Sequence, residues 1–177
     1  DEIGEVVWVR SFGSSGVDRA FGAVELNTGG YALTGDYAQN DYDFVNTGIN
    51  NSGEIFVLKT NSVGELVWVR SLKGSGADEG SSIVENTQGD LIVGGTTASD
   101  DGDFANSIQS YQMDSYNAFL ASFSSTGTLQ WVNVYGGNMP MDFANDFGRD
   151  VKIALDGSIL FVGNSKSENG DFSGNDR

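Results

Sequence analysis

The chain has 177 residues, 25 of them glycine, with 25 acidic against 9 basic side chains and a net charge of −16. It contains no cysteine or histidine, which excludes disulfides, thiolate metal sites, histidine triads and histidine zinc sites. Such acidity disfavours nucleic acid and anionic lipid, and no apolar run approaches the roughly 20 residues of a membrane span, so neither nucleic acid binding nor membrane insertion is expected.

The first element is the apolar run Glu5-Val-Val-Trp8-Val-Arg10-Ser11-Phe12. A loop from Gly13 to Asp18 leads to two short runs, residues 23–26 and 31–34, joined by Gly29-Gly30, which can supply the positive φ of a tight hairpin. A polar loop follows, and then residues 54–59 read as a strand that turns at Gly64 into Glu65-Leu-Val-Trp68-Val-Arg70-Ser71-Leu72. The cycle recurs with Gly74 to Asp78, residues 83–85 and 91–93 around Gly89-Asp90, residues 117–122, Gly127 and Thr128-Leu-Gln-Trp131-Val-Asn-Val-Tyr135. A third copy runs from Gly136 through residues 151–153 and 159–162 around Asp156-Gly157. The tryptophans lie 60 and 63 residues apart.

One unit thus holds four strands, named a, b, c and d, and short connections make neighbours antiparallel. A four-stranded repeat of this period predicts an all-β fold of β-propeller blades, since a β-helix needs a far shorter repeat. The order is d-abcd-abcd-ab: residues 1–12 give strand d of a preceding blade, 13–72 and 73–135 give two blades, and 136–177 give an incomplete one. Three blades are too few to close a ring of about 4 to 8. The expectation is part of a larger ring, completed by the remaining blades of a longer chain or by another copy. The start at Asp1 without Met fits a removed leader or a longer precursor.

The succession Trp68-Val-Arg-Ser, Gly-Ser-Gly-Ala-Asp78, Gly89-Asp90, Gly94-Gly95-Thr96-Thr97 and Asp101-Gly-Asp-Phe104 resembles the bacterial beta-propeller repeat family often labelled SBBP. The third copy is the closest match, with Trp131-Val-Asn-Val-Tyr-Gly-Gly137, Asp142-Phe-Ala-Asn-Asp146 and Asn169-Gly-Asp-Phe-Ser-Gly174. Lys73, where a glycine is expected, departs from the pattern, as do Ser52-Gly53-Glu54 and the missing last strand. The resemblance implies a secreted or surface-exposed bacterial protein, hence an extracellular location.

Three groups of residues are candidates for chemistry. Asp41 and Asp43, Asp101 and Asp103, and Asp171 recur in the b-to-c loops, where paired carboxylates offer the oxygen ligands that calcium takes; calcium is the one cofactor the pattern suggests. The competing reading is an Asx turn, with Phe44, Phe104 and Phe172 plugging the space between blades. Asp18, Asp78 and either Asp142 or Asp146 recur between strands d and a, as a carboxylate ring or as turn acceptors. The recurring tryptophans suit packing better than sugar stacking, whereas Tyr37, Tyr42, Tyr111 and Tyr116 vary between copies and are the candidates for ligand contact.

Gly13-Ser-Ser-Gly16 and Gly74-Ser-Gly76 lack the Lys-Ser/Thr and following helix of a nucleotide loop. The function expected is therefore noncatalytic: extracellular binding of a glycan or protein, adhesion, or scaffolding. The alternatives are a polysaccharide hydrolase or lyase with paired carboxylates, and a calcium-stabilised structural array.

Overall fold

The computed structural model describes residues 3–45, 53–105, 116–137, 145–167 and 170–172. Ten strands form: β1 (Arg19–Glu25), β2 (Tyr31–Tyr37), β3 (Glu54–Thr60), β4 (Leu66–Leu72), β5 (Asp78–Glu85), β6 (Leu91–Thr97), β7 (Asn117–Phe123), β8 (Leu129–Tyr135), β9 (Phe147–Ile153) and β10 (Ile159–Asn164). They make two four-stranded antiparallel sheets, β1-β2-β3-β4 and β5-β6-β7-β8, and the hairpin β9-β10. The fold is all-β, with the four-stranded repeat read from the sequence.

Successive repeats meet through their first strands. β5 packs against β1 and β2, and β9 packs against β5 and β6. The interface between the first two sheets is apolar, with Ile55, Val57, Ile83, Val93, Phe104 and Phe119 buried together. Such β-branched and aromatic residues suit a surface buried between two sheets, and their removal from water is the main force joining the repeats. Ile92, Leu120 and Val151 do the same between the second sheet and β9, with Phe161 against them.

The first strands start four or five residues earlier than the apolar runs suggest. Each carries a bulge, after Ala20, after Gly80 and beside Gly148, that leaves Phe21, Ser81 and Arg149 as the extra residues. An extra residue breaks the alternation of side chains, so the polar start of each strand does not read as one.

Residues 5–12 are not a strand, and among the described residues no other strand pairs with them. They nevertheless hold the expected place. A Cβ at Gly64 would lie 2.8 Å from Cζ3 of Trp8, and one at Gly127 would lie 3.0 Å from Cδ2 of Trp68. Both glycines have positive φ, and in each pair the tryptophan covers the turn joining the third and fourth strands of the following repeat. Trp68 also donates from Nε1 to the Ser125 carbonyl at 3.3 Å, and its neighbour Arg70 donates to the Gly127 carbonyl at 3.0 Å. The tryptophans are packing residues.

Candidate binding site at the start of the first strands

The repeated carboxylates are engaged with the backbone. Asp43, Asp103 and Asp171 each sit in a single 3-10 turn, Tyr42–Phe44, Gly102–Phe104 and Gly170–Phe172. Their Oδ2 atoms accept the backbone N–H of Gly13 at 3.0 Å, Lys73 at 2.8 Å and Gly136 at 3.0 Å. Their own N–H groups donate back to the carbonyls of the same three residues. Each is a two-point clasp between the loop after the second strand and the chain leaving the preceding repeat. Lys73 fits because only its backbone takes part.

Asp41 accepts the backbone N–H and the hydroxyl of Ser15, and Asp101 accepts the N–H of Ser75 at 2.7 Å. Phe44 and Phe104 are buried beside these turns, against Phe56 at 5.2 Å and Phe119 at 5.5 Å. Among the described residues no group of three or more acidic side chains is placed to hold a metal ion.

The second recurring set acts on the end of the second strand. Asp18 accepts from Ser14, with the Ala38 N–H at 3.4 Å; Asp78 accepts from the hydroxyls of Thr97 at 2.6 Å and Ser99 at 2.8 Å; Asp146 accepts from the N–H of Lys166 at 3.1 Å and from Ser167. The third member is thus Asp146, while Asp142 lies outside the described residues. Burial pushes the Asp78 carboxyl up from 3.8 to about 6, against the pull of its hydrogen bonds.

The tyrosine candidates separate. Tyr37 is 1% exposed as the last residue of β2, with its hydroxyl on Glu54 at 2.6 Å and its ring on Phe44, so it belongs to the core and not to a ligand loop. Tyr42 is 74% exposed and has φ of +47°, where the equivalent Gly102 and Gly170 also have positive φ. Tyr111 lies outside the described residues. Tyr116 stacks on Phe147 at 5.8 Å and 27°.

That stack borders a cleft of about 370 Å³ where the starts of β1, β5 and β9 meet, lined also by Arg19, Asp36, Glu79, Thr96 and Arg149. Arg19, Glu79 and Phe147 are the first residues after the recurring aspartates, so three different side chains share one place in three repeats. Arg19 is held by Asp36, with Nε at 3.1 Å and the terminal nitrogen at 2.8 Å, and this hydrogen-bonded pair raises the guanidinium pKa. Arg149 lies over the Phe147 ring at 4.9 Å and donates from Nε to Asn164 at 3.2 Å. It has no carboxylate partner among the described residues.

In the second repeat, Glu79 faces Thr96 across the ladder. No hydrogen bond reaches the Glu79 carboxylate among the described residues, and the buried Thr96 Oγ1 has no partner there.

The sequence reading missed Arg19, Glu79, Thr96, Phe147 and Arg149. Their signal was a mismatch between copies at an aligned position, weaker than a recurring motif. Compared with known protein families, the chain matches none, and no curated protein sequence matches it. No helix among the described residues is long and apolar enough to cross a membrane.

Proposed function

We propose that the chain is part of a β-propeller and serves as a noncatalytic binding, adhesion or scaffold module of a secreted or surface bacterial protein. The carrying observation is the division of labour among its polar residues. Those that recur, Asp43, Asp103 and Asp171 with Asp18, Asp78 and Asp146, are absorbed in hydrogen bonds within and between repeats. Those that differ between repeats, Arg19, Glu79 and Arg149, gather at the cleft beside Phe147.

Four-stranded sheets in which the first strand of each repeat packs on the first two strands of the repeat before it are compatible with blades set around an axis. The resemblance of the repeats to the SBBP family supports the same arrangement and the extracellular location. In a ring, β10 would receive a third strand along its outer edge, where Leu160 and Val162 are exposed, either from the remainder of a longer chain or from another copy.

A polysaccharide hydrolase or lyase would need two carboxylates facing one bond. Among the described residues of the cleft, Asp36 is tied to Arg19 and Asp78 is buried beneath Thr97 and Ser99, which leaves Glu79 alone. The deciding experiment is a binding screen of the protein against extracellular glycans and matrix proteins, with Glu79→Gln and Arg149→Gln beside the unaltered chain. Retention that either substitution weakens supports the reading. Turnover of a polysaccharide that Glu79→Gln abolishes would replace it with the enzyme.

A further inference from the structure

Arg149 has an unusual setting for a chain of net charge −16. Its cation is steered over the Phe147 ring and by Asn164, while Arg19, from the equivalent end of another repeat, is neutralised by a two-pronged contact with Asp36. The same cleft presents the Glu79 carboxylate as an acceptor without a hydrogen-bond donor among the described residues, together with the stacked faces of Tyr116 and Phe147. The Thr96 hydroxyl adds a buried polar atom with no partner there.

Among the described residues, a cation with free donors, an acceptor with no hydrogen-bond donor and an aromatic pair make complementary demands. The ligand must bring a carboxylate or similar anion, hydrogen-bond donors, and a compact body with C–H groups for the rings, and the hydroxyls of a sugar supply such donors. From these demands we infer that the cleft binds a carboxylate-bearing sugar unit of an acidic extracellular glycan. The carboxylate pairs with Arg149, hydroxyls donate to Glu79, and the sugar's C–H groups pack against the parts of the Tyr116–Phe147 pair that border the cleft. A cleft of about 370 Å³ falls near the lower end of ligand pockets, roughly 300 to 1,000 Å³, and suits a short stretch of saccharide.

The overall charge of the chain repels a polyanion, so selectivity must come from this local pairing and not from the general field. A charge-assisted contact of this kind is worth about 1.5 to 3 kcal/mol, about a ten- to hundredfold change in affinity.

This inference rests on the binding-module reading and narrows it. Its test is calorimetric titration with oligogalacturonate and oligoglucuronate, beside the same oligosaccharides after reduction of their carboxyl groups to neutral sugars. The acidic forms should bind at least about tenfold tighter than the reduced ones. Arg149→Gln should erase that difference, and Phe147→Ala should weaken both forms. Thermal melts of each variant check that the fold is intact, and the conservative Arg149→Lys should restore part of the preference for acid.

Equal binding of acidic and reduced forms, or an acid preference that Arg149→Gln leaves intact, overturns the inference while leaving a binding module. Binding of neither form, with matrix proteins and other glycans retained in the screen, also overturns the inference alone. Absence of binding to any saccharide or protein overturns both readings.

Discussion

The carboxylate of Asp103 accepts the backbone N–H of Lys73 at 2.8 Å, and the N–H of Asp103 returns a bond to the Lys73 carbonyl, also at 2.8 Å. The side chain of Lys73 is not needed for either bond, so the position tolerates a residue where the other copies place glycine. Asp103→Ala should lower stability by about 1 to 2 kcal/mol, the cost of removing such an acceptor, while Lys73→Ala should stay within about 0.5 kcal/mol. Urea melts check both. Because Oδ2 of Asp103 is engaged with the Lys73 N–H, millimolar calcium should leave the melting temperature unchanged. A calcium-dependent rise that disappears in Asp103→Ala would make the carboxylates metal ligands instead.

Tyr42 stands at φ +47° where Gly102 stands at +58° and Gly170 at +64°. A side chain in the left-handed region costs roughly 1 to 2 kcal/mol, partly offset because glycine loses more entropy on folding. At 74% exposed, Tyr42 recovers little of that by burial. Tyr42→Gly should therefore stabilise the protein by up to about 1 kcal/mol in urea melts. A loss of stability would mean that the ring carries packing in the assembled protein.

Gly127 and Gly157 both have positive φ, but only Gly127 lies under a ring. A Cβ at Gly127 would meet Trp68 at 3.0 Å, whereas one at Gly157 would meet nothing within 4 Å. Alanine at either site pays the backbone cost, and alanine at Gly127 must also displace the indole. Gly127→Ala should be the more destabilising by about 1 kcal/mol or more, an excess that Trp68→Ala in the same chain should abolish in a double-mutant cycle.

Asp78 gives the stability a pH dependence with a definite sign. Below about pH 4 its carboxyl is protonated in both folded and unfolded chains. Between about 4 and 6 the unfolded chain loses that proton while the folded chain keeps it, so stability falls as pH rises, by about 2 to 3 kcal/mol in total as an order of magnitude. Asp150 and Asp156, held low chiefly by hydrogen bonds from Ser82 and Ser158, act oppositely on the acid side, where stability is lost as they protonate. Asp78→Asn should flatten the decline between pH 4 and 7. Melts across that range that superimpose with the unaltered chain would show that Asp78 is not the source.

The repeat, the hairpins and the recurring aspartates were legible because tryptophans and glycine turns punctuate the chain at fixed intervals. The early starts of β1, β5 and β9 were not, because Phe21, Ser81 and Arg149 are bulge residues that break the strand period. Tyr37 read as a loop residue because polar Asp36 precedes it, yet β2 continues and buries both. The cleft was hidden for a different reason. Arg19, Glu79 and Arg149 come from three repeats and meet only when first strands pack, so no local pattern marks them.

The proposed propeller arrangement of the repeats is tested most directly by electron cryo-microscopy of the protein in its native assembly. A propeller predicts a closed ring of about 4 to 8 radial sheets. In the map Arg19, Glu79 and Arg149 would face the axis, and a third strand beside β10 would place a bulky side chain over Gly163, as Phe56 and Phe119 stand opposite Gly35 and Gly95. An open, superhelical stack of sheets with β10 solvent-exposed would contradict it.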